Sequence, residues 1–565
     1  MKWLHYREKT KRGNIYLYLL VTIIISFNTT ICFAGDVHLC DSVQDCIDHE
    51  IDYLIIVADT LVDTSDSTSL FNPYVDALAE QRAEYLSLNV GIVSTSFFAP
   101  LSSTKIRNLI RDVYESESAV HMADGHLGFV LLIGDVKDDD HVSDMVPTHF
   151  NDSYSVDYLE DHFYTCVTYD SSAEDYDDFP DLMIGRLSVG TGQDSTNGDF
   201  IELRGAVNKT IAYDSLSHVG WADTVLLISS TLPDMEAISW GNYLDTLKTI
   251  IPDEYSIDEM RGWESGWTDS LLRAAIISSI NSGRLIVDGL AHGWGGAWKF
   301  RSGQLHGPIL TTGDIDSLTN IDEYPVFFAL VCSNGMFTGQ TDCMAEVYVN
   351  ADNRGAIAYV AASNTAMFSP SEVLFRSIHR ALFNDHAYFM GEMVASGKIF
   401  YLSKRDLLLP RWDSYNSAYN YNLFGDPAVN IIWSVADSTK RPDLVVSQSG
   451  ITISPISGVG DSLIISAIVE NKGLVDADTF HVCFYKGVPD SGDTIGTKHM
   501  VPGLSAWYGA DTLSVRIKVD STYMWRDKIY VVADCDSQVT EIYEDNNVNW
   551  NWHCLYLFPV DQVGT

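Results

Sequence analysis

Short apolar runs recur through the first three quarters of the chain, and most stop at Gly, Asp, Ser or Asn. Tyr53–Val57, Gly128–Asp135 and Pro180–Arg186 are such runs. They are too short for helices and too continuously apolar for half-exposed strands, so they predict strands covered on both faces. Between them, Asn72–Leu88, Ser103–Glu115 and Ile201–Tyr213 carry apolar residues at helical spacing. The pattern restarts with a strand at Thr224–Ser229 and helices at Ile238–Ile250 and Ser270–Asn281. Strands at Arg284–Leu290, Val326–Val331 and Gly355–Ala362 follow, then a helix at Glu372–Phe383. Alternating strands and helices predict an α/β fold with mostly parallel sheet, in two units spanning residues 36–215 and 216–435. In open parallel sheets, sites gather at the carboxyl ends of the strands.

The pattern changes after Asp437–Pro442. Leu463–Val469, His481–Tyr485, Thr512–Val519 and Lys528–Ala533 are short alternating segments separated by turn residues. They predict an all-β sandwich over 441–552. Gly460-Asp-Ser-Leu463 matches the short phrase of the GDSL esterases. It lies where a sandwich strand should begin and has no accompanying His motif, so we read it as coincidence.

The first residues read as an export signal. Lys2, Arg7, Lys9, Lys11 and Arg12 precede an apolar stretch from Ile15 to Phe27, and Cys32-Phe-Ala34 before Gly35 offers a cleavage site. The stretch is short for a retained anchor and is interrupted by Thr and Ser. Residues 1–34 are therefore expected to be a signal peptide. Export permits disulfides. The spacing allows Cys40 with Cys46 and Cys483 with Cys535, although sequence does not fix connectivity.

A formal charge of −42 excludes nucleic acid as a partner, because phosphate would be repelled. The acidity gathers in segments such as Lys137–Asp140 and Glu174–Asp178. A solvated surface that keeps an exported protein soluble is the plain reading. Structural calcium is the sharper alternative, though no segment has EF-hand spacing. Neither CxxC nor HExxH occurs, so no catalytic metal and no required cofactor are expected.

The chemistry concentrates in two phrases, Ala291–Trp298 and Val331–Phe337, each following a predicted strand. His292 and Cys332 delivered by neighbouring strand ends form a nucleophile and its base. Gly293 and the turn Ser333-Asn334-Gly335 let main chain approach a developing oxyanion. Either residue alone reads more simply as a core histidine or a buried thiol; together, with these flanks, they read as a dyad.

The flanks resemble the gingipain-type cysteine peptidases, a branch of the caspase-like clan. That family's His-Gly with Ala-Trp is similar to His292-Gly293 and Ala297-Trp298. Its Ala-Cys-x-Asn-Gly-x-Phe is similar to Val331–Phe337, and its Cys-Phe-Ala-Glu to Cys343-Met-Ala-Glu346. Its closing Phe-Gly-Asp-Pro is Phe424–Pro427 here, and Leu132-Ile-Gly-Asp135 and Pro180-Asp181…Gly185-Arg186 extend the likeness into the first unit. The resemblance covers about residues 50–435. It implies two Rossmann-like subdomains, the second caspase-like, in a secreted cysteine endopeptidase acting on protein or peptide substrates. Cys332 would be the nucleophile, His292 the base and acid, and the N–H groups of Gly293 and Cys332 the oxyanion donors. The family's third member, an acidic residue after the strand equivalent to Val225–Ser229, falls near Thr231, leaving Asp234 or Glu236. The pocket wall falls at Met367 and Phe368, with Trp298 also facing substrate, which suits an apolar side chain. A catalytically silent surface-binding protein is the alternative.

Pro442–Val446, Val469–Gly473 and Val539–Asn547 resemble the bacterial cell-adhesion-related CARDB domain, an Ig-like sandwich. The resemblance implies a secreted or cell-surface bacterial protein. Its sandwich would be either a passive spacer or a contact to a cell-surface or matrix component.

Overall fold

The computed structural model describes residues 35–552 apart from 63–69, 137–144, 152–157, 171–174, 177, 191–198, 216–219, 231–234, 265, 300–306, 339–340, 409–416, 432–440, 456–461, 490–491, 519–527 and 545. The signal-peptide reading of residues 1–34 and the acidic segment Lys137–Asp140 lie outside the described residues, as do Glu174 and Asp177. Among the described residues no helix is long and apolar enough to cross a membrane.

The α/β runs build a single mixed sheet of 11 strands. One block holds β1 (Val37–Leu39), β2 (Tyr53–Val57), β3 (Val90–Ser94), β4 (Phe129–Ile133) and β5 (Met183–Leu187), paired in parallel in the order β1-β3-β2-β4-β5. The other holds β6 (Thr224–Ser229), β7 (Ser256–Arg261), β8 (Ile286–Leu290), β9 (Val326–Leu330) and β10 (Ala358–Ala362). These also pair in parallel, in the order β10-β9-β8-β6-β7. Strand β11 (Tyr421–Phe424) joins the blocks, antiparallel to β10 and meeting β5 at Phe424↔Arg186. Every residue of β2, β4, β8, β9 and β10 is buried, as continuous apolar runs demand.

Helices cover the sheet. They are α1 (Val43–Asp48), α2 (Pro73–Leu86), α3 (Ser103–Glu115), α4 (Asp199–Ser215), α5 (Met235–Ile250), α6 (Asp269–Ile280), α7 (Met344–Asn350), α8 (Phe368–Asn384) and α9 (Met390–Leu408). Their starts carry local signals. Asn72 and Thr268 cap α2 and α6 by accepting from the N–H groups of Tyr74 and Leu271.

The phrases quoted above prove to be the joints of this fold. Gly425 at the end of β11 has φ +131° and donates its N–H to Arg186 O at 2.8 Å. Its neighbour Asp426 is wholly buried and accepts from Tyr53 Oη at 3.0 Å, Arg82 Nε at 3.0 Å and the Ala428 N–H at 2.8 Å. Arg82 also reaches Asp214 at 2.5 Å, so one guanidinium ties α2, α4 and the end of the last strand. Asp181 accepts the N–H groups of Val167 and Thr168, both at 2.8 Å. Arg186 grips Asp161 through Nε at 2.6 Å and Nη2 at 2.7 Å, with Nη1 on Gly134 O and Val146 O. Charges this deeply buried persist only when they are paired with opposite charge, as both guanidiniums are here.

The sandwich has two four-stranded sheets. Leu444–Val446, Thr452–Pro455, Ser462–Asn471 and Gly509–Lys518 form one; Phe480–Lys486, Asp493–Val501, Lys528–Val532 and Val548–Trp552 form the other. Cys483 is bonded to Cys535. The other local pairing is not present: Cys40 and Cys46 are both buried thiols, and a hydrogen bond to Cys46, followed by burial, pushes the Cys40 thiol up. The sandwich is seated on the α/β unit. Trp507 is 1% exposed and packs against Phe129 and Phe389, with ring centroids 6.1 and 5.5 Å away. Lys472 donates to Glu392 at 2.6 Å and to the carbonyls of Asp385 and His386.

Candidate active site

Strands β8 and β9 are neighbours in parallel register, with Leu290 opposite Leu330. His292 and Cys332 each stand two residues beyond that pair, so the two chains deliver them side by side at the carboxyl end of the sheet. Both are half-buried, which suits groups that must meet substrate. The approach is close: a Cβ on Gly293 would fall 2.3 Å from Val331 Cγ1 and 2.5 Å from Ala297 O. Only glycine lets the chain after His292 pass so near the residue before Cys332.

After β8 the chain folds into an antiparallel sheet of His292–Trp294, Ala297–Lys299 and Pro308–Thr311, which the apolar pattern did not announce. Trp298 on its middle strand is fully buried. Its indole N–H donates to Asn334 Oδ1 at 2.6 Å and lies 3.1 Å from Tyr359 Oη. Tyr359 donates to the same Asn334 oxygen at 2.5 Å, and Asn334 Nδ2 donates to Trp294 O at 3.1 Å. The expectation that Trp298 faces substrate is therefore corrected. Its ring fills the space above Gly289, where a Cβ would come within 2.1 Å of it, and braces the turn that presents Cys332. The bracing role of Asn334, Tyr359 and Gly289 is not visible in the sequence. Asn334 had a signal in its place inside the Cys332 phrase, whereas Tyr359 reads as one more strand residue.

The turn itself is strained. Ser333 has φ +55°, uncommon for a residue with a side chain. Ser333 donates its N–H to Asn364 O at 2.9 Å, and Gly335 to Ala362 O at 2.8 Å. These bonds pin the turn to the end of β10. Cys332 Sγ meets the following loop at Ala366, 3.4 Å from its N–H and 3.6 Å from its carbonyl. One residue on, Met367 is 46% exposed at the N-cap of α8, and Phe368 is partly buried against the core. The expected wall residues thus leave from a loop that touches Cys332.

Asp234 lies outside the described residues. Glu236 is in the first turn of α5, and its side chain is likewise outside what the structure describes. The segment that carries them starts beside the His292 hairpin: Ser230 donates its N–H to Leu290 O and its Oγ to Lys299 O, both at 2.9 Å. Lys299 is the residue opposite His292.

Beneath β8 sits a buried polar group that sequence reading missed. Asp288 is wholly buried, and burial pushes its carboxyl up to about 8. Tyr243 Oη lies 3.1 and 3.2 Å from its oxygens, and His379 Nε2 is 3.5 Å away. Burial pushes His379 down to about 4, so at neutral pH this group carries no net charge.

The Cys343–Glu346 phrase closes the site. Glu346 accepts the Cys343 N–H at 2.7 Å and the Ser188 hydroxyl at 2.7 Å, linking the start of α7 to the end of β5. Met344 donates its N–H to Gly295 O at 2.7 Å, which holds α7 against the hairpin after His292.

Comparison with known proteins relates both parts of the chain to known families. The family model for CARDB matches residues 441–551. Lys-gingipain W83 of Porphyromonas gingivalis is 25% identical over 278 residues, 47% of this chain and 14% of that protein. Gingipain R2 of the same species is 22% identical over 476 residues, 80% of this chain and 54% of that protein. The chain thus spans about half the length of these curated relatives, or less. The crystal structure of the Arg specific cysteine proteinase gingipain R is similar in fold, with TM-score 0.52 and 18% identity, covering 87% of this chain and 96% of that chain. The family model described as Peptidase family C25 matches residues 47–432, well over half of the sequence, and the chain belongs to that family.

Proposed function

We propose that this chain is a secreted cysteine endopeptidase of bacterial origin, with Cys332 as nucleophile and His292 as its base and acid. The observation that carries the reading is the register of β8 and β9, which sets both residues two positions past one strand pair. Cys332 loses its proton to His292 and attacks the scissile carbonyl, and the N–H groups of Gly293 and Cys332 stabilise the oxyanion. The imidazolium returns the proton to the leaving amine as the C–N bond breaks, leaving a thioester. His292 then deprotonates a water that attacks the thioester, and collapse releases the carboxylic acid and the thiol. Asp234 or Glu236 would orient the imidazole from the loop that leaves Ser230. Met367 and Phe368 would line a pocket for an apolar side chain.

The sheet reads as two Rossmann-like subdomains, 36–215 and 216–435, the second caspase-like, with a CARDB-like sandwich at 441–552 that offers a surface to cell-surface or matrix components. The reaction uses no cofactor. Calcium in the acidic loops would act on stability, so chelation is expected to lower the melting temperature and leave kcat unchanged. The test of the mechanism is casein or peptide hydrolysis by the parent chain and by Cys332→Ala, with thiol alkylation alongside. A loss of at least about a thousandfold is expected. Hydrolysis that survives the substitution rules the mechanism out.

A further inference from the structure

On the edge strand β1 and the short helix α1, away from the dyad in sequence, two histidines share one carboxylate. His38 Nε2 lies 3.4 Å from Asp45 Oδ2, and His49 Nδ1 lies 3.3 Å from Asp45 Oδ1. One ligating atom from each of the three lies within 4.8 Å of the others. The imidazoles are stacked, with centroids 3.2 Å apart and planes 15° from parallel. His38 and Asp45 precede residue 47, where the family match begins, so the cluster does not follow from the family.

We propose that His38, Asp45 and His49 form a binding site for a divalent transition metal of the zinc class, clasping β1 to α1. Three observations converge on this. The residue types suit a borderline cation: two imidazoles and one carboxylate, with water in the fourth position. The spacing suits it too, since ligand atoms about 2.1 Å from a tetrahedral zinc stand about 3.4 Å from each other. Finally, the carboxylate and one imidazole are tethered by hydrogen bonds of their own. His49 Nδ1 is 2.8 Å from Asp45 O, which holds that ring against Asp45. Asp45 Oδ2 also accepts the Asp41 N–H at 3.0 Å. Ligating side chains are characteristically steadied by such outer hydrogen bonds. The stacked rings must part to admit the ion, and His49, whose side chain is 41% exposed at the C-cap of α1, has room to turn.

The clasp has a structural purpose. Among the described residues β1 pairs only with β3 and is the edge of the sheet, where a three-residue strand is weakly held. A metal bridging His38 to the helix would fix that edge.

The experiment is zinc binding to the full chain in a Cys332→Ala background, so that zinc on the dyad is not counted. Cobalt, read by its visible absorption, reports the geometry. One saturable site, a tetrahedral cobalt spectrum and a higher melting temperature with zinc are expected. His38→Ala and His49→Gln should each weaken zinc by at least about a hundredfold, since even outer-shell changes cost 10- to 100-fold. Asp45→Asn covers the case in which a histidine variant fails to fold. Equal zinc affinity in the His38→Ala/His49→Gln double variant overturns the proposal, as does no saturable uptake by the parent. Affinity lost in Cys40→Ser/Cys46→Ser but kept in the histidine variants overturns it as well, in favour of a thiolate site.

Discussion

The two blocks of the sheet end their strands in the same manner and put the result to opposite uses. In the first block, β5 carries Arg186 near its end and runs out into Ser188, both locked away. Arg186 is fully buried, and its donors are spread over Asp161, Gly134 O and Val146 O. In the second block, β8 and β9 run out into His292 and Cys332, which stay half-exposed with a strained turn behind them. An apolar run ending in a polar residue therefore does not by itself mark a reactive site. What separates the two ends is whether the packing closes completely over the residue, as at Arg186, or leaves it part-exposed, as at Cys332. The second block keeps its saturated groups one layer back, in Asn334, Trp298 and Tyr359, where they brace the turn.

The contrast can be broken most forcefully by exchanging its two currencies. Cys332→Ala should remove at least about a thousandfold of activity, roughly 4 kcal/mol of barrier, while the unfolding midpoint in urea stays within error. Arg186→Met should do the reverse. It strands Asp161 as a buried unpaired charge and should cost about 3–5 kcal/mol of stability in the same denaturation experiment. A stable Arg186→Met protein would mean that the first block is less saturated than its geometry indicates.

Trp298→Phe sharpens the bracing claim. It keeps the ring over Gly289 but deletes the N–H, and should destabilise by about 1–3 kcal/mol while lowering kcat more than it raises KM. A change in KM alone would return Trp298 to the substrate pocket.

Asp288 supplies a pH test. Its carboxyl titrates near 8 in the folded chain, above the ordinary value, so its contribution is complete at low pH. That contribution is lost as pH rises from about 4 to 8, because the unfolded chain ionises first. Stability measured against Asp288→Asn should therefore fall with rising pH, by at most about 1.4 kcal/mol per unit. His379, held near 4 by burial, works in the opposite sense, and its contribution is lost as pH falls below about 6.5. A parent–variant difference that does not change with pH would show that Asp288 is ionised throughout. The smallest effect belongs to Met367→Ala. A few-fold loss of kcat/KM on peptides with a large apolar side chain before the scissile bond is expected, about 1 kcal/mol or less, with little change for alanine there. Strict preference for Arg or Lys in the parent would remove the apolar pocket altogether.

Much of this molecule was legible because its signals are local. The apolar runs at Tyr53–Val57 and Thr224–Ser229 are strands with those bounds, and Ser103–Glu115 is a helix with those bounds. Side-chain period and run length are set by backbone geometry alone, so they survive without knowledge of any partner. The placing of His292 and Cys332 at neighbouring strand ends was legible for the same reason, through the phrases that follow two such runs. The helix Met390–Leu408 was not, in part because Gly391 and Gly397 dilute its pattern. Those glycines have packing partners instead. A Cβ at Gly397 would fall 2.5 Å from Ile378 Cγ1, so the residue that weakens the helix signal lets two helices touch.

The sequence by itself determined the order of elements, the change from α/β to sandwich near residue 440, and the pair His292 and Cys332. Tertiary structure alone decided that two runs of strands share one sheet, that Trp298 braces a turn, and that Asp426 answers Arg82 across 344 residues of chain. The physical reason is the range of the forces read. Periodicity states that a side chain is buried, a property of its own neighbourhood. What a buried charge or indole meets there depends on segments far apart in the chain, and only packing brings them together.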